Sequence, residues 1–295
     1  MNDLDIVLVN YNTRELLRNC LRSVYASQGD ISFNVYVVDN GSQDGSADMV
    51  RREFPQVNLI ESDNLGYARG NNLALRRCRA RYVLLLNADT VLPKDTLQKS
   101  LDFMDAHPEA GIMGPKVVRP DGTLDKACRR SFPTPEVAFY RLSGLSKLFP
   151  DSPRFARYNL SFLDPDELAE VDAVMGAFMW LRREALDQAG FLDERFFAFG
   201  EDLDLCYRIK VHHGWKVYYN PDVTILHYKG ESMKQRSYAM TIQFYKAMWT
   251  FHRKHFAANT FFLLNGLIGL GIALLCGGAL LRNALRPAGR KKAGW

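Results

Sequence analysis

Several familiar signatures are missing from these 295 residues, and each absence removes a class of function. No G-x-x-x-x-G-K-[ST] occurs, which excludes a P-loop NTPase. The first apolar run continues as VLVNYNTRELL without a glycine, which excludes the G-x-G-x-x-G turn of a nicotinamide oxidoreductase. Cysteine is sparse and unpatterned. Cys20, Cys78, Cys128, Cys206 and Cys276 are odd in number, widely spaced and form no C-x-x-C, so reduced thiols in a cytosolic compartment are expected. Met-Asn-Asp-Leu-Asp at the start lacks a basic stretch leading into an apolar one, so no signal peptide is expected and the catalytic part is expected in the cytoplasm. Repeats and low-complexity tracts are absent too. With 47% hydrophobic residues, the chain can bury one large α/β domain or two small ones.

The formal charge of +5 suits anionic partners such as nucleotide diphosphates or phospholipid headgroups, but it is unevenly spread. Arg282, Arg286, Arg290, Lys291 and Lys292 gather in a basic tail, 282–295, beside an apolar segment, so no nucleic-acid partner is expected. Residues 257–281 carry no charge, and a helix of that length crosses a hydrocarbon core of roughly 30 Å. Just before it, 236–256 mixes aromatics and aliphatics with Lys246, His252, Arg253, Lys254 and His255, the pattern of an amphipathic juxtamembrane helix. Positive charge on both flanks leaves the orientation open, and Gly266, Gly269, Gly271, Gly277 and Gly278 would permit a bent or re-entrant segment. The expected setting is a bacterial inner membrane with the catalytic domain on the cytoplasmic side.

Residues 1–235 read as one domain. DIVLVNY (5–11) is a strand, and Asn12 or Thr13 can cap a following helix that buries Leu16, Leu17, Cys20, Leu21 and Val24. The unit recurs: FNVYVVD (33–39) precedes a helix near 44–53, VNLIES (57–62) one near 67–79, and RYVLLLNAD (81–89) follows. Strands alternating with helices predict a mainly parallel sheet covered on both faces, with ligands beyond the carboxyl ends of its strands. Further on, the pattern predicts strands at 111–119, 171–181, 215–219 and 223–228, with an irregular acceptor-side insertion from about 128 to 165.

Three clusters carry chemistry, and each also has a bland reading. In VVDNGSQDGS (37–46), Asp39 ends a strand, where it can accept the imide N–H of uracil or thymine, or simply cap a turn. In LLLNADT (84–90), Asn87 and Asp89 are separated by one residue, so on a strand they would face one site. A diphosphate-bound Mg²⁺ or Mn²⁺ needs few protein ligands of hard oxygen there. In FGEDLDLCYR (199–208), Glu201, Asp202 and Asp204 open a helix; acidic groups suit its dipole, so at least one is expected to be structural, while a neighbouring pair can serve as a general base. His227 ends VTILH and could ligate a metal.

Together these elements resemble the family 2 glycosyltransferases of the GT-A fold over about residues 4–230. The matching pieces are VNYN (9–12), VVDNGSQDGS, NLGYARGNN (64–72), LLLNAD, MGAFMWLRR (175–183) and GEDLDLCYR (200–208). NLGYARGNN and the late histidine are most similar to the rhamnosyltransferase-like branch that builds bacterial cell-surface polysaccharides. The resemblance implies that Asn10, Tyr11, Asn12 and Asp39 border the nucleoside, that Gly66 and Arg69 lie by the ribose and diphosphate, and that Asn87 and Asp89 stand at the D-x-D element. Asn87 replaces its first acidic residue. It further implies Asp89 and His227 as metal ligands, Asp202 as catalytic base with Glu201 beside it, and Gly176 and Ala177 as small strand residues leaving room for the acceptor. The expected activity is metal-dependent inverting transfer from a nucleotide-diphosphate sugar, such as dTDP-rhamnose or a UDP-sugar, to a hydroxyl of a glycan or lipid-linked acceptor. A sugar nucleotidyltransferase, or a non-catalytic nucleotide-sugar-binding membrane protein, is the alternative. Oligomeric state is not legible.

Overall fold

The computed structural model describes residues 2–228 and 237–285; the boundary at 235–236 and the basic residues Arg286, Arg290, Lys291 and Lys292 lie outside the described residues. The chain begins with β1 (Leu4–Asn10), α1 (Arg14–Tyr25), β2 (Phe33–Asp39), α2 (Ser46–Glu53), β3 (Asn58–Glu61), α3 (Tyr67–Leu75) and β4 (Tyr82–Asn87). β1 is apolar and buried almost throughout, as a strand covered on both faces must be. α1 buries Leu17, Cys20, Leu21 and Val24, one stripe at helical spacing. Thr13 occupies its N-cap position but donates its hydroxyl proton to Asn10 Oδ1 at 2.7 Å, and Asn12 sits in the left-handed region at φ 51°, so neither supplies a side-chain cap to the helix.

The chain continues through β5 (Thr90–Val91), α4 (Thr96–Ala106), β6 (Ala110–Val118), β7 (Arg129–Arg130), α5 (Pro135–Leu142), α6 (Leu145–Leu148), β8 (Ala169–Glu170), β9 (Ala173–Val174), β10 (Phe178–Arg182), α7 (Arg183–Ala189), α8 (Glu201–Tyr207) and β11 (Lys216–His227). Among the described residues the main sheet runs β3-β2-β1-β4-β10-β6-β11-β5, with β8 beside β11. β3, β2, β1 and β4 are parallel, β10 is antiparallel to both β4 and β6, and β6 pairs β11 in parallel. The carboxyl ends of β1, β2, β4, β6 and β11, and the start of β10, therefore share one edge. Trp180, Tyr82 and Phe178 are among the largest fully buried side chains. Each contributes roughly 1.5–3 kcal/mol of burial toward holding β10 in the sheet. Burial pushes the Cys20 and Cys206 thiols up to about 12, which makes them inert core groups.

Two strand expectations need correction. Residues 171–181 are not one strand: β9 pairs with β7 in a separate small sheet, and β10 starts only at Phe178. Gly176 and Ala177 thus lie in the turn between two sheets. The strands expected at 215–219 and 223–228 are one, with a register irregularity between Asn220 and Thr224. The insertion expected at 128–165 holds β7, α5 and α6.

Beyond β11 lie α9 (Ser237–His255) and α10 (Phe262–Leu285). α10 is the one helix among the described residues that is long and apolar enough to cross a membrane. It starts later than the uncharged run, because Ala257–Asn259 form a short 3-10 turn, and it continues through Arg282. α9 is docked on the domain: Ala247 and Phe251 join the core, Lys254 Nζ lies 2.6 Å from both Asp193 Oδ2 and Asp204 Oδ1, and His255 Nε2 lies 2.8 Å from Asp204 Oδ1. Its far side meets α10, where His252 Nε2 lies 2.7 Å from Asn265 Oδ1 and the Trp249 ring lies against Gly269.

Candidate active site

The end of β1 and the turn after β2 close on each other. Asn10 Nδ2 donates to Asp39 Oδ1 and to Ser42 Oγ, both at 3.0 Å, while Ser42 N donates to Asp39 Oδ2 at 3.1 Å. Asn12 joins through its backbone N to Ser42 Oγ at 2.9 Å and through its Oδ1, which accepts from Gln43 N at 2.7 Å. Tyr11 lies between them, half-buried. Asn10, Tyr11, Asn12 and Asp39 therefore form one wall, with Asp39 held as a buried acceptor. Asn40 ties that wall to the next motif, accepting from Leu65 N at 3.1 Å and donating to Gly66 O at 3.3 Å.

Gly66 has φ +87°, and a Cβ there would come within 2.6 Å of Phe197, so glycine is required for the loop before α8 to close over α3. Arg69, by contrast, does not turn toward the sheet edge. Its guanidinium pairs with Glu194 at 3.4 Å and is over half exposed. Beside it in the same motif, Tyr67 points inward: its hydroxyl lies 2.9 Å from Asn87 Oδ1 and 3.1 Å from Gly176 O, so one proton serves two acceptors. Desolvation raises the Tyr67 pKa and keeps the phenol neutral.

Asn87 and Asp89 do not alternate along a strand. β4 ends at Asn87, and Asp89 occupies the turn to β5. Backbone pairing of His227 with Thr90 then brings the two predicted ligands together, with His227 Nε2 at 3.1 Å from Asp89 Oδ1. Both are buried, and His227 Nδ1 has no hydrogen-bond partner among the described residues. Beside them opens a cavity of about 350 Å³ lined by Arg119, Pro120, Asp121, His227 and Tyr228. A carboxylate oxygen and an imidazole nitrogen converging at this separation fit two ligands of one divalent cation, with diphosphate oxygens and water completing its shell. No group of three or more His, Cys, Asp or Glu able to hold a metal occurs among the described residues, so the substrate would have to supply the rest. A larger hollow of about 700 Å³ opens at the opposite edge of the sheet, between Arg79 and Arg183, and holds none of these groups.

The acidic motif opens α8 after a tight turn in which Phe199 and Gly200 both take positive φ, 68° and 80°. Asp202 Oδ2 accepts from Arg130 Nη2 at 2.6 Å and from Gly176 N at 3.2 Å, and Oδ1 accepts from Leu203 N at 2.7 Å. The carboxylate thus accepts from one guanidinium and two backbone N–H groups. Glu201 is the opposite case. Burial, reinforced by the adjacent Asp202 charge, pushes it up to about 8, and its Oε2 is buried without a partner among the described residues. Asp204 is the structural member of the trio, fully buried and pinned by Arg208, Lys254 and His255. A Cβ on Gly176 would meet Asp202 at 3.4 Å, and buried Ala177 uses its carbonyl to accept from Asn87 N at 3.0 Å.

Sequence reasoning missed Arg130 and Tyr67. Arg130 lies in a stretch without periodicity, and its partner is 72 residues away. Tyr67 was within a quoted motif, where the arginine two residues on drew the attention its charge invites.

Residues 2–245 match the family described as Glycosyltransferase like family 2. The chain belongs to that family. It is a glycosyltransferase with an N-acetylglucosaminyl-diphospho-decaprenol L-rhamnosyltransferase of Mycobacterium tuberculosis among its relatives, 27% identical over 98% of this chain and 96% of the relative. It is also 27% identical to the low-salt glycan biosynthesis hexosyltransferase Agl10 of Haloferax volcanii, over 71% of this chain and 62% of that one. Its fold matches Staphylococcus aureus TarS in complex with UDP-GlcNAc, with a TM-score of 0.60 at 18% identity over 92% of this chain and 71% of that one. It likewise matches the mannosyltransferase PcManGT from Pyrobaculum calidifontis in complex with GDP-Man and Mn²⁺, with a TM-score of 0.58 at 18% identity over 98% and 79%. The glycosyltransferase thus has the GT-A architecture expected from its motifs.

Proposed function

We propose that this glycosyltransferase moves a hexosyl group, with L-rhamnose from dTDP-rhamnose as the first candidate, onto a hydroxyl of a polyprenyl-diphosphate-linked sugar, inverting the anomeric centre. The donor and acceptor classes rest on the M. tuberculosis relative, which aligns over nearly the full length of both chains. α10 would hold the protein at the membrane where such an acceptor resides, with the catalytic domain on the cytoplasmic side of a bacterial inner membrane.

The observation that carries the chemistry is the unequal pair at the start of α8. A glycosyl acceptor is poorly acidic and must lose its proton as it attacks. Asp202, held by Arg130 and with a lone pair on Oδ1 left open, can take that proton; Glu201 already holds one at neutral pH. The acceptor oxygen bonds to the anomeric carbon as the bond to the diphosphate oxygen breaks, and the nucleoside diphosphate departs with that electron pair. Asn10 and Asp39 would orient the base, and Tyr67 would fix Asn87 and the Gly176 turn. A divalent cation held by Asp89 and His227 would neutralise charge on the departing diphosphate.

The test is transfer from dTDP-rhamnose and a panel of UDP-sugars to a short-chain N-acetylglucosaminyl-diphospho-polyprenol, with and without Mn²⁺ or Mg²⁺. Chelator is expected to abolish transfer, and Asp89→Ala to weaken cation-dependent donor binding by at least about 10-fold. Full activity in excess EDTA would overturn the cation site, and transfer from other donors alone would overturn the rhamnosyl reading.

A further inference from the structure

We infer that Arg130 is a positioning residue for the transfer step: its guanidinium decides which of the two adjacent carboxylates at the start of α8 acts as the base, and aims that base at the acceptor. This rests on Asp202 being the general base.

The geometry is a clamp. Arg130 lies on β7, paired with Ala173 of β9, and is buried. Its Nη2 alone reaches Val174 O at 2.7 Å and Asp202 Oδ2 at 2.6 Å. Two residues after Val174, Gly176 N donates to the same Oδ2. That oxygen is saturated, whereas Oδ1 takes a single donor from Leu203 N and keeps a lone pair free. The carboxylate plane is thereby fixed from both sides, with its open lone pair on a known oxygen.

Arg182 divides its donors differently: its guanidinium is spread over Ala110 O, Met104 O, His107 O and the Tyr82 hydroxyl. Arg130 leaves Nε buried without a partner among the described residues while concentrating Nη2 on Asp202. A buried donor left unpaired costs about 1–3 kcal/mol.

The electrostatic consequence follows from the neighbours. Glu201 and Asp204 share the helix, Tyr67 faces the pair from α3, and Tyr158 and Cys206 face Arg130. From α9, Phe244 and Ala247 pack against the turn before the pair, and Lys254 and His255 engage Asp204. Arg130 is thus the cation in contact with Asp202, while Glu201, which burial pushes up to about 8, has no cation bonded to it among the described residues and keeps a proton near neutral pH. Without it, two adjacent buried carboxyls would share that proton, and Asp202 would no longer be reliably free to accept another.

The experiment compares full-length wild type, Arg130→Gln and Arg130→Lys. With dTDP-rhamnose and the lipid acceptor, Arg130→Gln should lower kcat by roughly 10²-fold or more while leaving donor affinity within about twofold. Its acid limb in kcat/KM should move up by at least about one pH unit, and Arg130→Lys, which keeps the charge, should return the limb toward wild type. A fall in kcat with an unmoved limb overturns the inference. Infrared titration of the carboxyl band needs no substrate, so it separates failure here from failure of the donor reading. In wild type near neutral pH, the protonated-acid band should vanish in Glu201→Gln and persist in Asp202→Asn. In an Arg130→Gln background, both changes should diminish it. If the band still belongs to Glu201 alone once the guanidinium is gone, Arg130 does not set the division.

Discussion

The proposed donor side and the proposed acceptor side of this site are built by different means. On the donor side, Asn10, Asp39 and Asn87 each stand at the last residue of their own parallel strand, so a local repeating unit delivers them. On the acceptor side, Asp202 depends on Arg130, 72 residues before it, and on Gly176, 26 before it, from a small sheet that pairs only two residues per strand. Periodicity builds the first; long-range fit builds the second. The donor wall should therefore tolerate changes in the acceptor half, while the base should be sensitive to distant neighbours.

The sharpest way to break that contrast is Asp202→Asn. It keeps the shape and the donor wall, so turnover should fall by about 10²-fold or more while nucleotide affinity, read by calorimetry, changes little. An equal loss of donor binding would mean the two sides are one cooperative unit. Next comes a chain ending at His255. It should leave the membrane fraction, because α10 is the sole span candidate among the described residues, yet retain nucleotide binding, because α9 keeps its ion pairs to Asp193 and Asp204. Unchanged partition would remove α10 as the anchor.

The smallest expected effect is on stability against pH. Glu201 is raised from 4.5 to about 8, so between those values the folded state binds more protons than the unfolded chain. Stability should fall as pH rises across that window, and Glu201→Gln should flatten the slope. At neutral pH the glutamine mimics the protonated acid, so Glu201→Gln should retain most turnover. If it abolishes turnover while Asp202→Asn does not, the two roles are exchanged.

What the sequence made legible follows the same division. The βα units, the sheet edge and the standing of Asn10 and Asp39 at its strand ends were readable because burial imposes a period on the residues that form them. The Asp89–His227 pair was readable as two strand ends, although the expected alternation of Asn87 and Asp89 was wrong: the strand stops at Asn87 and a turn makes the approach. Gly176 was misplaced on a strand because an apolar run conceals where a chain leaves one sheet for another. Arg130 left no periodic trace, and Arg69, which the resemblance placed by the diphosphate, pairs with Glu194.

α8 has a further consequence. Asp202 and Asp204 are two residues apart on one rigid turn: the first is the proposed base, the second is bolted to Lys254 and His255 of α9, which in turn leans on α10. The proposed base and the apolar arm are thus joined by two short links. A displacement of about 1 Å at a reacting group can cost 10²-fold in rate, so whatever seats that arm also calibrates the enzyme.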